Sequence, residues 1–181
     1  MIKSAYSFQT KKERIENHII VVWVDNESGV LARVVGLFSG RGYNIDSLAV
    51  AEVDKKKNIS RITISTSGTP QVLQQIRLQL KKLVPVHKVA DYPNNKKTLV
   101  REMALLKIVA SKTQLEKASK ICKKYKYAFL DKTEKSFVLE VSALKKEIDE
   151  LIKKLQPLGL ASVSRTGIVA MTKGSEVYKE I

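Results

Sequence analysis

The stretch from Asp25 to Asp46, DNESGVLARVVGLFSGRGYNID, indicates how the rest of the chain is organised. It places a polar turn and Gly29 ahead of an amphipathic helix, and a second turn, Arg41-Gly42-Tyr43-Asn44, ahead of a strand. The first backbone N–H groups of a helix lack intrahelical partners, and the helix dipole favours negative charge there. The pattern therefore predicts a site for a small ligand that carries a carboxylate or a phosphate.

Several residues near this turn have the chemistry to bind such a ligand. Asn26 or Ser28 can cap the helix, and Gly29 lacks a Cβ, so a ligand can approach the backbone closely. Asn44 offers an amide that both donates and accepts hydrogen bonds. Spacing alone leaves a second interpretation open, in which a capped helix is followed by a turn and no ligand binds.

Composition sets limits on the class of protein. A chain of 181 residues with 44% hydrophobic content can bury a core and fits one larger domain or two small ones. The single cysteine, Cys122, excludes a disulfide framework and favours a reducing compartment, so we expect a cytoplasmic protein. No apolar run approaches the roughly 18 residues that cross a bilayer, and no hydrophobic signal core follows the N-terminal lysines, so we expect no membrane partner.

The formal net charge of +15 raises the question of a nucleic-acid partner. The lysines are spread over every segment, and no aromatic RNA-stacking motif accompanies them, so we favour a solvated lysine-rich surface. An amino-acid-responsive regulator that binds nucleic acid remains the alternative, and a stand-alone enzyme is a third possibility.

The hydrophobic pattern of the first half of the chain predicts a ferredoxin-like unit. The almost wholly apolar, β-branched run from His18 to Val24 is typical of a strand buried on both faces. The predicted elements that follow are the helix after the turn, strands at Tyr43–Val53 and Ile59–Thr66, a helix that starts at Thr69 and Pro70, and a strand at Val84–Tyr92. The resulting order is βαββαβ, the split-βαβ arrangement.

The second half repeats this order. Its predicted elements are a strand at Met103–Ala110, a helix preceded by the capping-box spacing of Thr113 and Glu116, strands at Ala128–Asp131 and Phe137–Ser142, a helix ended by Pro157 and Gly159, and a strand at Leu160–Met171. We therefore predict an α+β protein with two tandem ferredoxin-like βαββαβ domains. Residues 1–17 are predicted as a mobile extension, 18–92 as the first domain, 93–98 as a linker, 99–174 as the second domain and 175–181 as a tail.

Residues suited to catalysis are scarce. His18 and His87 have no metal-binding spacing, and Cys122 lies on the apolar face of its helix, where a thiol usually acts as a small hydrophobe. No phosphate-binding glycine motif and no nucleophile elbow occurs in the sequence. We therefore predict no catalytic residue and no metal ligand.

Several segments of the sequence closely resemble the small regulatory subunit of acetolactate synthase (acetohydroxyacid synthase). These are Asn26-Glu27-Ser28-Gly29-Val30-Leu31, Arg33-Val34-Val35-Gly36-Leu37-Phe38-Ser39, Arg41-Gly42-Tyr43-Asn44-Ile45 with Ser47-Leu48, Ser60-Arg61 with Thr63-Ile64, and Arg165-Thr166-Gly167-Ile168-Val169-Ala170. The resemblance spans roughly His18 to Gly174.

The resemblance implies an N-terminal ACT domain that senses ligand and dimerises, followed by a second, ACT-like domain. It further implies a subunit that is not catalytic alone, activates a large catalytic subunit in branched-chain amino-acid synthesis, and confers feedback inhibition by valine. The holoenzyme would condense two pyruvates, or pyruvate with 2-oxobutanoate. Thiamine diphosphate, Mg and FAD would reside on the catalytic subunit, with no cofactor on this chain.

The resemblance also implies which residues contact the amino acid. The turn would supply most of them, and Asn44 would come from the facing protomer. The predicted valine-binding residues are Asn26, Gly29, Val30, Leu31, Asn44 and Ile45.

Overall fold

A computed structural model describes residues 14–93, 97–125 and 127–175 of the chain. The elements of the first half are β1 (Glu16–Asp25), α1 (Val30–Ser39), β2 (Ser47–Asp54), β3 (Ile59–Gly68), α2 (Pro70–Leu80) and β4 (Val86–Pro93). Those of the second half are β5 (Thr98–Val109), α3 (Lys112–Cys122), β6 (Tyr127–Lys132), β7 (Ser136–Ala143), α4 (Lys145–Leu155), a 3-10 turn (Gln156–Leu158) and β8 (Leu160–Thr172).

The first half folds into a four-stranded antiparallel sheet with the order β2-β3-β1-β4. Alternate residues of β1, namely Ile20, Val22 and Val24, point to the face on which α1 and α2 lie, and form a core with Val34 and Phe38 of α1. The spacing of apolar residues along α1 is what lets one face of the helix enter this core. β2 is an edge strand of this sheet.

The second half repeats the same arrangement, with the strand order β6-β7-β5-β8. Its core lies between the sheet and helices α3 and α4, and its central residues are Leu106 of β5, Leu139 of β7 and Leu151 of α4, all fully buried. The two halves therefore form two separate α/β layers, each with its own core.

The remaining face of the first sheet is covered by the second domain. Ile19, Val21 and Trp23 of β1 lie on this face, and they pack against Ile168 and Ala170 of β8. Trp23 is only 1% exposed as a result. The guanidinium of Arg61 adds a polar contact, because its Nη2 donates to the carbonyl of Ala170 at 2.5 Å. Strand β1 is thus buried on both faces, as its sequence predicts.

A bulge in β8 directs the strand onto the first sheet. Glu102 pairs with Ile168 and Ala104 with Arg165, so β8 has one residue more than β5 at this point. Such an extra residue bends a strand. Gly167 lies in the bulge with a φ of 80°, and a Cβ built on it would be 3.1 Å from the carbonyl oxygen of Leu48 in β2. Glycine therefore meets two needs here, a left-handed backbone and a close approach between the domains.

An ion-pair network holds the bulge in place. Arg165 donates from Nε and Nη2 to the buried Glu102 at 2.8 and 2.6 Å, and from Nη1 to Asp149 of α4 at 2.6 Å. Hydrogen bonding to Glu102 raises the pKa of Arg165 above its ordinary value. The network ties β5, β8 and α4 together at the point where β8 bends.

The structure confirms the two βαββαβ units, and it corrects several details. Residues 43–46 form no strand, since β2 begins at Ser47. The capping box of α3 is formed by Ser111 and Gln114, not by Thr113 and Glu116, because Gln114 Oε1 accepts from the backbone N–H of Ser111 at 3.3 Å. Thr69 caps α2 as predicted.

The predicted boundaries also differ slightly from the observed strands. β1 begins at Glu16, inside the predicted extension, and β5 begins at Thr98, inside the predicted linker. Residues 1–13 of the predicted extension, 94–96 of the predicted linker and 176–181 of the predicted tail lie outside the described residues. Within the described part of the chain, no helix is both long and apolar enough to cross a membrane.

The domain junction makes a prediction for Gly167. Gly167→Ala should lower the free energy of unfolding by about 1–3 kcal/mol more than Gly174→Ala, because only the first variant crowds a neighbouring strand. Gly174 is a matched control, since its φ is 76° and a Cβ built on it would have nothing within 4 Å. Urea unfolding followed by the emission of Trp23, the one tryptophan, measures both variants. Equal losses would show that the contact with Leu48 has no energetic weight.

Candidate functional site

The polar turn between β1 and α1 presents free backbone donors. Gly29 is the N-cap of α1 with a φ of 83°, a left-handed conformation that glycine adopts without strain. The N–H groups of Leu31 and Ala32 have no acceptor among the described residues, and no side chain caps the helix. The first turn contains no acidic residue. These open donors and the helix dipole suit a carboxylate.

Asn26 anchors the turn to the neighbouring hairpin. Its backbone N–H donates to the carbonyl of Asn58 at 2.8 Å, and its side-chain Oδ1 accepts from the hydroxyl of Ser60 at 3.0 Å. Neither Asn26 nor Ser28 therefore caps α1, and that prediction was wrong. The reason is tertiary, because the β2–β3 loop ends beside Asn26 and competes for its side chain.

Asn58 and Ser60 are the supporting residues that sequence reasoning did not assign to the site. Asn58 has a φ of 54°, and its Nδ2 donates to the carbonyl of Asn26 at 3.3 Å. An asparagine that ends a charged loop is a signal for this left-handed position, because its side chain tolerates that conformation better than most. Nothing in the spacing of the sequence connects it to the turn, which lies 32 residues earlier.

Asn44 lies at the opposite end of the same sheet. Its carbonyl accepts from the hydroxyl of the buried Thr66 at 2.6 Å, and its Nδ2 donates to Asp46 Oδ1 at 2.6 Å. The turn lies at the Ile59 end of β3, because Asp25 pairs with Ile59. Seven residues of strand separate Ile59 from Thr66, which is more than about 20 Å. One copy of the chain does not bring Asn44 to its own turn.

The apolar members of the predicted set differ in what they expose. Val30 is 3% exposed and its side chain is part of the core, so only its backbone faces the turn. Leu31 is 41% exposed and stands beside the free helix donors. Ile45 is half-buried and packs against the core next to Asn44. Val30 and Ile45 thus shape the two ends of the sheet from inside the core.

The edge of β2 connects these two ends. β2 pairs with β3 on one side, and no described strand pairs with its other side. Val50 and Val53 on this strand are each 45% exposed. An open edge with unpaired N–H and C=O groups and exposed valines is suited to pairing with another strand.

The two histidines and the cysteine are held in structural contacts. His18 Nδ1 lies 2.8 Å from Asp91 Oδ1, and His87 Nε2 lies 2.6 Å from Asp25 Oδ1. Cys122 is fully buried in the second core, where desolvation raises the pKa of its thiol to about 11. Among the described residues, no three acidic, histidine or cysteine side chains are grouped closely enough to hold a metal ion.

Two tandem βαββαβ units, each with a four-stranded antiparallel sheet, define a protein with two ACT-like domains. Residues 20–88 match the AHAS small subunit-like ACT domain, and residues 101–174 match the family described as the small subunit of acetolactate synthase. The chain therefore belongs to the acetolactate synthase small-subunit family.

Individual relatives agree with this assignment over nearly the whole chain. The acetolactate synthase small subunit of Aquifex aeolicus is 34% identical over 173 residues, which cover 95% of this chain and 89% of that protein. The isozyme 3 small subunit of Salmonella typhimurium is 35% identical over 162 residues, which cover 89% of this chain and 98% of that protein. The crystal structure of the small subunit from Thermotoga maritima has a TM-score of 0.80 at 29% identity, covering 88% of this chain and 99% of that one.

The buried thiol generates a prediction about pH. Folding holds the proton of Cys122 up to a pH near 11, whereas the ordinary pKa is 9.0. The stability that this thiol contributes should therefore be complete below pH 9 and should fall as the pH rises through about 11. The difference in unfolding free energy between the wild type and Cys122→Ala should shrink by at most about 2–3 kcal/mol over this window. A difference that stays constant from pH 8 to 11 would contradict the raised pKa.

Proposed function

We propose that this chain activates the catalytic subunit of acetolactate synthase and makes that enzyme sensitive to valine. The observation that supports this most directly is the turn at Gly29, where free helix donors meet an exposed surface in a protein of this family. In this proposal thiamine diphosphate, Mg and FAD belong to the catalytic subunit, and this chain supplies regulation.

The chemistry of the turn suits an amino-acid zwitterion. The carboxylate would accept hydrogen bonds from the N–H groups of Leu31 and Ala32, where the helix dipole adds about 0.3–1 kcal/mol at an exposed site. The ammonium group needs an acceptor, and Asn44 has one to offer. Its Nδ2 is engaged by Asp46, whereas its Oδ1 has no hydrogen-bond partner among the described residues. The adjacent carboxylate of Asp46 adds negative charge at this end.

A two-fold dimer would bring the two halves of this site together. If the β2 edges of two copies pair antiparallel, the start of β2 in one copy lies beside the end of β2 in the other. Ser47 pairs with Ser65 at the Asn44 end, and Asp54 pairs with Ile59 at the turn end. The two-fold axis therefore places Asn44 of one copy near the Gly29 turn of the other, which yields two equivalent sites.

The test of the ligand assignment is Asn44→Ala. The variant removes one or two hydrogen bonds to a charged ligand, each worth about 1.5–3 kcal/mol, so valine should bind about tenfold or more weakly. We expect a holoenzyme that is still activated but resistant to valine. Inhibition curves, and calorimetry with valine, leucine and isoleucine, measure the effect.

The matched control for this variant is Gln74→Ala. It removes an amide from the exposed surface of α2 beside β4, at the sheet edge opposite β2, and should leave inhibition unchanged. Loss of activation and of dimers in Asn44→Ala would show that Asn44 is structural. Normal inhibition would place the effector site elsewhere.

Mixing two defective variants tests whether the site is shared between chains. Gly29→Asp places a carboxylate where the ligand carboxylate would bind, and Asn44→Ala removes the group from the other chain. Each variant alone should bind valine about tenfold or more weakly than the wild type. After random exchange of chains, about a quarter of the sites should regain the wild-type affinity, because each mixed dimer has one intact site.

Calorimetric stoichiometry of the mixture reads this out directly. Unfolding and refolding the mixture exchanges the chains, and the same mixture without this step is the control, because it contains no mixed dimer. If mass spectrometry shows exchange but wild-type affinity for valine does not return, the ligand is held within one chain.

A further inference from the structure

A groove in the second domain is separate from the effector turn. It lies between α3 and the hairpin of β6 and β7, and its volume is about 1110 Å³. Leu115, Phe129 and Phe137 form its apolar floor. Its rim carries the side chains of Lys112, Lys120, Lys123, Lys132 and Lys135.

The charge of the rim is strongly one-sided. Five lysines face two glutamates, Glu116 and Glu134, which leaves an excess of three positive charges. None of the five lysines forms an ion pair with a carboxylate anywhere in the described chain. Unpaired like charges around one groove repel each other, and a negatively charged occupant would relieve this repulsion.

The apolar floor indicates that the occupant of the groove also carries apolar groups. Phe129 is 39% exposed although its ring makes edge contacts at 5.2 Å with both Tyr127 and Phe137. Phe129 is not a member of the buried core of the second domain, so its ring remains available to a partner. An exposed aromatic ring inside a charged rim is typical of the centre of a protein interface.

We propose that this groove binds an acidic segment of the catalytic subunit, with one or two apolar side chains seated on Phe129 and with carboxylates toward the lysines. The proposal rests on the function proposed above and adds where the partner binds. A polypeptide fits better than a nucleic acid because of the number of exposed rings. Grooves for single-stranded nucleic acid stack successive bases on several exposed aromatic rings, whereas of the two phenylalanines that line this groove Phe129 is exposed and Phe137 is only 2% exposed.

The groove and the turn that would bind the effector lie in different domains. The effector turn belongs to the first domain, whereas every lining residue of the groove belongs to the second. Variants in the groove should therefore weaken attachment of the catalytic subunit without changing the affinity for valine. This combination distinguishes an interface from a general loss of structure.

The experiment reverses charge at the groove and at a control surface. The groove variant is Lys120→Glu/Lys123→Glu/Lys132→Glu, and the control is Lys146→Glu/Lys153→Glu/Lys154→Glu on α4. All six lysines are exposed, and each set includes two lysines near the C-terminal end of a helix, where charge reversal opposes the helix dipole. Binding of the full chain to the catalytic subunit is measured by sedimentation at several salt concentrations, with valine calorimetry alongside.

We expect the groove variant to bind the catalytic subunit about tenfold or more weakly at 0.1 M salt, and the control within about threefold of wild type. The wild-type affinity should fall with salt, and the slope should flatten in the groove variant. Valine affinity should be unchanged in both. Groove and control variants that bind equally well would overturn the proposal, and so would a groove variant that loses only binding to single-stranded RNA.

Failure of the underlying function gives a different result. If the wild-type chain does not bind the catalytic subunit at all, the proposed function fails before the groove is tested. If the wild type binds and activates but the groove variant does so equally, the function stands and only the groove assignment is wrong.

A cross-linking experiment identifies the occupant. A photoreactive maleimide is attached to Thr133→Cys at the groove rim, and to Glu150→Cys on α4 as the control. The introduced thiol reacts selectively, because the native Cys122 is buried. Light should join the groove position to an acidic segment of the catalytic subunit, located by mass spectrometry, and the control position should give no such product. Equal cross-linking from both positions, or cross-linking to a second copy of this chain, would overturn the proposal.

Discussion

The burial of β1 on both faces is the constraint on which the rest of the molecule depends. One face of the first sheet is covered by its own two helices, and the other carries Ile19, Val21 and Trp23. Each such side chain contributes about 1.5–3 kcal/mol when fully buried. The bent end of β8 supplies this burial, with Ile168 and Ala170. The second domain is therefore part of the environment that keeps the first sheet folded, in addition to having its own core.

The same junction connects the turn after β1 with the second domain through one strand. Asp25 ends β1 and Asn26 begins the turn, while two residues earlier Trp23 packs beneath β8. Arg61 and Lys88 lie on the Trp23 ring at 5.6 and 5.4 Å, and the indole Nε1 has no hydrogen-bond partner among the described groups. A ligand that binds the turn with different affinity in two arrangements of this junction would shift the balance between them, and coupling requires that difference in affinity.

The sequence predicted the parts of the fold that follow from local rules. Period-2 and period-3.6 patterns placed the strands and helices, and Thr69 with Pro70 located the start of α2. The uninterrupted apolar run of β1 even predicted burial on both faces. Errors arose where tertiary contacts override local chemistry. Asn26 is bound by Ser60 and is not free to cap a helix, and Gly29 takes the N-cap position instead. A local signal cannot include a partner 34 residues away.

The proposed ligand site shows the same limit over a longer distance. Asn26 in the turn and Asn44 are close in sequence, yet they lie at opposite ends of the sheet. The turn lies at the Ile59 end of β3, and Asn44 lies at the Thr66 end. One helix, α1, lies between the two polar turns, and it runs back along the sheet, so the turns lie at opposite ends. Two turns joined by one helix therefore do not meet within one chain. A two-fold axis at the β2 edge is the simplest operation that would bring one turn close to the other turn of a second copy. Pairing of the β2 edges of two copies would therefore do two things at once. It would satisfy the unpaired backbone groups of β2, and it would bring Asn44 of one copy toward the turn of the other.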